Sequence, residues 1–209
     1  MFSLQQIFGK GDRFQHLLEE AAVEAHESVQ IVISQLKRPS QTRTLDDMVL
    51  LRRKEKKIAE QISEELVSTF VTGLDREDIE ALSRALYRIP KSSEKLAARL
   101  HMAGSHLEGV DLTQQAEMMV KATEVVVEMV RQLRDLQHLD QIKELNDRLQ
   151  YVEGEADKLM FELLKDLYSG KHEALKAIVI RDLYELMEKV IDRCRDAGNV
   201  VSHIVMKNS

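Results

Sequence analysis

The stretch LYELMEKVIDRCRDAGNVVSHI, residues 183–204, decides the fold. Its apolar residues Leu183, Met187, Val190, Cys194, Ala197, Val201 and Ile204 recur four and three apart, the spacing that lines one stripe of an α-helix. Off that stripe stand Glu188, Asp192 and Asp196, each four apart and therefore stacked along one line of the helix. The segment just upstream repeats the arrangement. Leu145, Leu149, Val152, Ala156, Leu159 and Leu163 form a second seam, and Glu153 and Asp157 follow seam positions four apart. Two helices, each with a carboxylate line beside its core contact, are thus expected to pack antiparallel across a short connection at Gly170.

The same reading extends over the whole chain. Among 209 residues there are only 8 Gly and 2 Pro, and they fall in a few places, so long helical periods lie between them. Helices are expected near 12–37, 45–71, 75–103, 111–137, 140–169 and 172–206, and nothing reads as a strand. The fold class is all-α. Asp12 is expected to begin the first helix, Asp75 with Asp78 to form an approximate capping box, and Asp111 or Thr113 to cap the fourth helix. Pro90 falls inside the third helix, where it removes a backbone bond and is expected to kink it.

Charge and length exclude several functions. With 30 Lys+Arg against 36 Asp+Glu the net charge is −6, which argues against general nucleic-acid binding. No run approaches the roughly 18 apolar residues of a membrane span. The start MFSLQQIFGKGDR does not read as a signal peptide. A single cysteine fits a reducing cytosol, so a cytoplasmic protein, peripheral to a membrane at most, is expected.

Sliding the chain over itself by 101 positions pairs Ile58 with Leu159, Ile62 with Leu163 and Leu66 with Leu167, then Ile79 with Ile180, Leu82 with Leu183 and Leu86 with Met187. One ungapped shift matches apolar positions across two successive helices. This points to a duplicated three-helix unit, with halves at about 12–105 and 111–207. The halves differ in charge. The shift sets Arg52 against Glu153, Lys56 against Asp157, Tyr87 against Glu188 and Lys91 against Asp192. Residues 52–57 hold five cations and one acid, and 153–158 hold three acids and one cation.

Converging carboxylates repel unless a cation sits among them, and oxygen-only ligands favour Mg²⁺, Ca²⁺, Mn²⁺ or iron. Counted from Gly170, Glu153 and Glu188 are nearly level, so Glu153, Glu188 and Asp192 are expected as the best-placed trio, with Asp157 either matching Tyr184 or binding from the side. The alternative is a solvated acidic face. Arg52, Arg53, Lys56 and Lys57 offer a matching choice: a site for an anion or acidic partner, or a solvated helix face. Arg52 or Lys91 folding back to neutralise acids is a further expectation.

Three segments resemble one family. Val71-Thr72-Gly73-Leu74-Asp75-Arg76-Glu77-Asp78-Ile79 is similar to the TP-x-D-R-E-D-I junction of the PhoU-related proteins, known as phosphate transport regulators or Pit accessory proteins. Glu153-Gly-Glu-Ala-Asp157 resembles their E-x-x-A-D motif, and 182–196 their final helix. The resemblance implies a single PhoU-like domain over residues 1–209, made of two pseudo-symmetric three-helix units. It also implies a surface metal cluster, often iron, and a non-enzymatic role beside a phosphate transporter of the Pit type. Arg52, Lys56, Tyr87 and Lys91 stand where the family carries acids, and Gly73 where proline is usual. The ligands carried over are therefore Glu153, Asp157, Glu188 and Asp192, flanked by Asp196. A homo-oligomer is left open, as is a metal-free helical scaffold or adaptor.

Other chemistry finds no support. A ferritin-like di-iron centre uses Glu-x-x-His, and the nearest approach here is Asp135 with His138. Cys194 lies on the core seam, where a buried hydrophobe is expected rather than a nucleophile. Gly9-Lys10-Gly11 lacks the spacing of a phosphate loop.

Overall fold

The computed structural model describes residues 4–69, 71–134 and 139–208. Among them the regular elements are all helical: α1 Leu4–Lys37, α2 Asp46–Ser68, α3 Arg76–Ala103, α4 Thr113–Gln132, α5 Leu139–Leu167 and α6 Ala174–Asn208. Short 3-10 turns occupy Ser40–Thr42 and Gly104–Leu107.

Helices α1, α3, α6 and α4 pack as a closed ring, each against the next. Helix α2 lies on α1 and α3, and α5 lies on α4 and α6. Exchanging α1 with α4, α2 with α5 and α3 with α6 leaves this pattern of pairing unchanged. Ile79, Leu82 and Leu86 are buried, and so are Ile180, Leu183 and Met187 at the positions 101 further on. Ile58 and Ile62 are buried where Leu159 and Leu163 are half-buried.

Hydrophobic burial drives the assembly. All seven residues of the α6 stripe, Leu183 to Ile204, are buried. Fully burying one leucine or methionine is worth roughly 1.5–3 kcal/mol. Gly198 lets α6 approach closely. A Cβ at that position would stand 2.5 Å from Leu149 Cδ2 and 3.3 Å from Met129 Sδ.

The ends of the helices depart from expectation in instructive ways. Helix α1 begins at Leu4, not near residue 12, and continues through Gly9 and Gly11. A glycine inside a helix costs only about 1 kcal/mol, so it need not end one. Asp75 stands at the N-cap of α3 but makes no side-chain cap. Its carboxylate goes instead to Lys207 Nζ at 2.5 Å, which also meets Asp78 at 3.1 Å. A charge partner from the end of α6 outcompetes the local backbone N–H groups. Asp111 does accept the Thr113 N–H at 2.9 Å. Glu173, which the sequence reading passed over, accepts from Leu175 and Lys176 at the start of α6. Helix α3 runs unbroken through Pro90, which is buried. Helix α4 ends at Gln132, short of the expected 137. The Asp135 and His138 pair lies outside the described residues.

The turn from α5 to α6 needs only six residues, with Gly170 at φ +81°, a backbone conformation that disfavours other residues. That turn sets the two carboxylate-bearing helices side by side. Among the described residues no helix is long and apolar enough to cross a membrane.

Candidate functional site

The face between α5 and α6 gathers the expected acids, but in a different register. Glu188 lies near enough to Asp157 for the two carboxyls to interact, and Glu153 shares a cleft of about 440 Å³ with Asp192 and Asp196. The expected level pair was Glu153 with Glu188. Side chains on both helices lean toward their own N-termini, away from the turn on α5 and toward it on α6. An α5 residue therefore meets an α6 residue farther from the turn than a count of Cα positions suggests.

Burial holds the Glu188 carboxyl above the usual range, and the charges of Asp192, Asp157 and Glu185 push it further the same way. Asp192 and Asp196 already have cations. Lys189 Nζ lies 3.1 Å from Asp192 Oδ2, and Arg193 Nη1 lies 2.6 Å from Asp196 Oδ2. Arg195, in the same cleft, donates to Asn146 Oδ1 at 2.6 Å. Among the described residues no group of three or more His, Cys, Asp or Glu is placed to hold a metal ion. A cation such as Ca²⁺ takes about six to eight oxygens, several of them from protein. The Asp157–Glu188 contact supplies two side chains, so the arrangement as it stands does not fit such an ion.

This contact makes a signed prediction. With no cation between the two carboxyls, Glu188→Gln should stabilise the protein by roughly 0.3–0.5 kcal/mol at neutral pH, the small value of a partly exposed, screened pair. Because Glu188 binds its proton more tightly when folded, native stability should fall as pH rises above the ordinary carboxylate range, and the variant should lack that part of the fall. Urea unfolding at several pH values reads both effects. A destabilised Glu188→Gln protein that has also lost bound metal would show that the carboxyls hold a cation.

In the first half the cationic run separates into two populations. Arg52 is turned inward. Its guanidinium bonds to Glu55, lies 3.1 Å from Glu94 Oε2, and sits 4.6 Å from the centroid of the Tyr87 ring. Arg52 thus folds back onto acids, as expected, and is not a free anion ligand. Lys91, the other residue expected to fold back, makes no such ion pair among the described residues. Arg53, Lys56 and Lys57 are exposed, and Lys56 lies 3.8 Å from Glu60. Lys54, from the same run, pairs with the buried Glu24 on α1.

Glu55 was missed by the sequence reading. It is only 3% exposed, and burial pushes its carboxyl up to about 8. Arg52 opposes that rise, while Glu24 and Glu94 add to it. A signal was present. Met48, Leu51, Glu55, Ile58 and Ile62 are the buried residues of α2 and run by threes and fours, so Glu55 occupies a seam position. The shift of 101 also reverses a charge arrangement. Arg52 on α2 meets Glu94 on α3, whereas Glu153 on α5 shares its cleft with Arg195 on α6. Cys194 is fully buried and its thiol is pushed up by burial, as befits a core residue.

No family model matches the chain. It is 26% identical over 211 residues to the UPF0111 protein YkaA of Bacillus subtilis (strain 168), covering 96% of this chain and 98% of that one. It is 24% identical over 166 residues to the "Putative pit accessory protein" of Rhizobium meliloti (strain 1021), covering 78% of each. Two solved structures from Shewanella oneidensis MR-1 share the fold. One is a PhoU-like protein (TM-score 0.74, 13% identity, 93% of this chain and 99% of that one). The other is a "putative PhoU-like phosphate regulatory protein" (TM-score 0.73, 14% identity, the same coverage). The chain folds as a PhoU-like protein, and by sequence it is similar to a relative named for a Pit accessory role.

Proposed function

We propose that this protein is a non-catalytic, cytosolic accessory or regulator of inorganic phosphate transport that works on a Pit-type transporter. The observation that carries the reading is similarity across 78% of the chain to a protein named as a pit accessory, on a helical bundle with the PhoU-like fold. The partly ion-paired α5/α6 face supports a binding surface rather than a reaction centre, since Asp192 and Asp196 are engaged by Lys189 and Arg193.

The transporter is assigned to the tip of the α5/α6 hairpin. Phe161 and Tyr168 are 67% and 65% exposed, and Leu175 and Ile178 join them across the turn, each at least half exposed. Large apolar side chains left exposed on one hairpin support an interaction site there. The matching positions of the first half are Glu60, Val67, Leu74 and Glu77, so two of the four are acids there.

Binding of the purified protein to a Pit-type transporter in lipid vesicles tests the assignment. Phe161→Ser with Tyr168→Ser should weaken it about tenfold or more, the loss expected of exposed aromatic anchors, while the melting temperature stays close to that of the native protein. Unchanged binding by this variant would place the interface elsewhere. No binding by the native protein would contradict the accessory role.

A further inference from the structure

Between α2 and α3 the packing is incomplete. A cleft of about 330 Å³ opens there, floored by Ala59, Ile62 and Leu66 and rimmed by Arg84, Arg88 and Lys91. Its origin is legible in the shift of 101. Where the first half has Ala59, Ser63 and Ser83, the second has Met160, Leu164 and Tyr184. Met160 and Tyr184 are buried and Leu164 packs against the core, so the larger side chains fill the corresponding space between α5 and α6. Three separate small side chains leave it open in the first half.

The rim is mainly cationic, its single acid, Glu80, being paired with Arg84. Arg84, Arg88 and Lys91 are four and three apart and share one line of α3. Arg84 is engaged by Glu80. Arg88 and Lys91 are exposed, and neither has an ion-pair or hydrogen-bond partner among the described residues. The hydroxyls of Ser63 and Ser83 also line the opening.

We propose that this cleft binds a small organic phosphate, its oxyanion held by Arg88 and Lys91 and its apolar part laid on Ala59, Ile62 and Leu66. Arginine offers a planar fork and lysine a compact charge, a pair suited to a phosphate-type oxyanion. The volume lies at the lower end of the range for small-molecule sites, about 300–1,000 Å³. Inorganic phosphate would leave the apolar floor wet. An extended acidic peptide would meet Glu60 and Glu64 on α2 and Glu77 and Glu80 on α3, which bound the cationic stretch. The cleft lies on the α2/α3 hairpin, so its occupancy does not depend on the transporter assignment made for α5/α6.

Calorimetric titration of the full chain with phenyl phosphate, adenosine diphosphate and inorganic phosphate tests the proposal. At least one of the two organic phosphates should bind about tenfold or more tightly than inorganic phosphate. Arg88→Ala with Lys91→Ala, both at exposed positions, should weaken that binding about tenfold or more. Ser63→Leu with Ser83→Tyr, which rebuilds the filled packing of the second half and keeps every cation, should weaken it to the same degree. Binding of neither organic phosphate overturns the proposal. Equal affinity for inorganic phosphate, or full binding by a folded filled variant, also overturns it, leaving only diffuse attraction to surface cations. A poly-glutamate peptide that competes as strongly as the organic phosphates overturns it in favour of an acidic protein partner.

Discussion

Stability should fall as pH rises from about 4.5 toward 8, and Glu55→Gln should remove most of that fall. The Glu55 carboxyl is pushed to about 8 in the folded protein from an ordinary 4.5. Folded protein therefore binds more protons than unfolded chain across that window. The sign follows directly. Below about 4.5 both states carry the proton and no penalty exists; above it the unfolded chain ionises freely while the folded one must ionise a buried carboxyl. A shift of this size corresponds to about 4 kcal/mol at most across the window. Arg52 offsets part of the penalty, and removing it alone should worsen the pH dependence by leaving Glu55 with less compensation and Glu94 without its partner. Unfolding by urea at pH 5, 6.5 and 8 reads the effect. A native protein equally stable at all three values, or a Glu55→Gln protein with an undiminished slope, would show that Glu55 stays ionised in the fold.

The second large effect is steric. Gly198→Val should destabilise by about 1–3 kcal/mol, the usual cost of overpacking a well-filled interior. Its Cβ would enter space held by Leu149, which is fully buried and cannot swing aside, and by Met129 on α4. Leu149→Ala alone should cost about 2–5 kcal/mol through the cavity it leaves. Combined, the two changes should cost less than the sum of the singles, since each relieves the defect of the other. Strict additivity in a double-mutant cycle would mean that α6 does not approach α5 closely at this point. The matching residue of the first half is Ala97, which already carries a Cβ.

How much was legible in the sequence depends on what each residue answers to. The α6 stripe was legible because a buried seam must recur at the helical period, and every member of it is buried. The α5 seam was legible as far as Ala156, after which Leu159 and Leu163 become half-buried. Helix starts were less legible. Gly9 and Gly11 are weak breakers that neighbouring turns override, and Asp75 chose Lys207, a partner over a hundred residues away that local capping rules do not see. The candidate site was legible in composition but not in geometry. Which carboxyl meets which depends on the lean of side chains along two helices, and that moved Asp157 onto Glu188. Long cationic side chains are harder still. Arg52 and Arg53 are neighbours in the chain, yet one is stacked on Tyr87 against two acids and the other faces solvent. The α2/α3 cleft could be read only by comparing the halves, because Ala59, Ser63 and Ser83 are unremarkable until set beside Met160, Leu164 and Tyr184.

Phosphate uptake tests the central assignment most directly. Cells carrying a single Pit-type transporter should take up labelled inorganic phosphate at a different rate when this chain is removed. Native protein should restore that rate, and the Phe161→Ser, Tyr168→Ser variant should not, although it accumulates to the same level. Identical uptake with and without the protein, at equal amounts of transporter, would contradict the account.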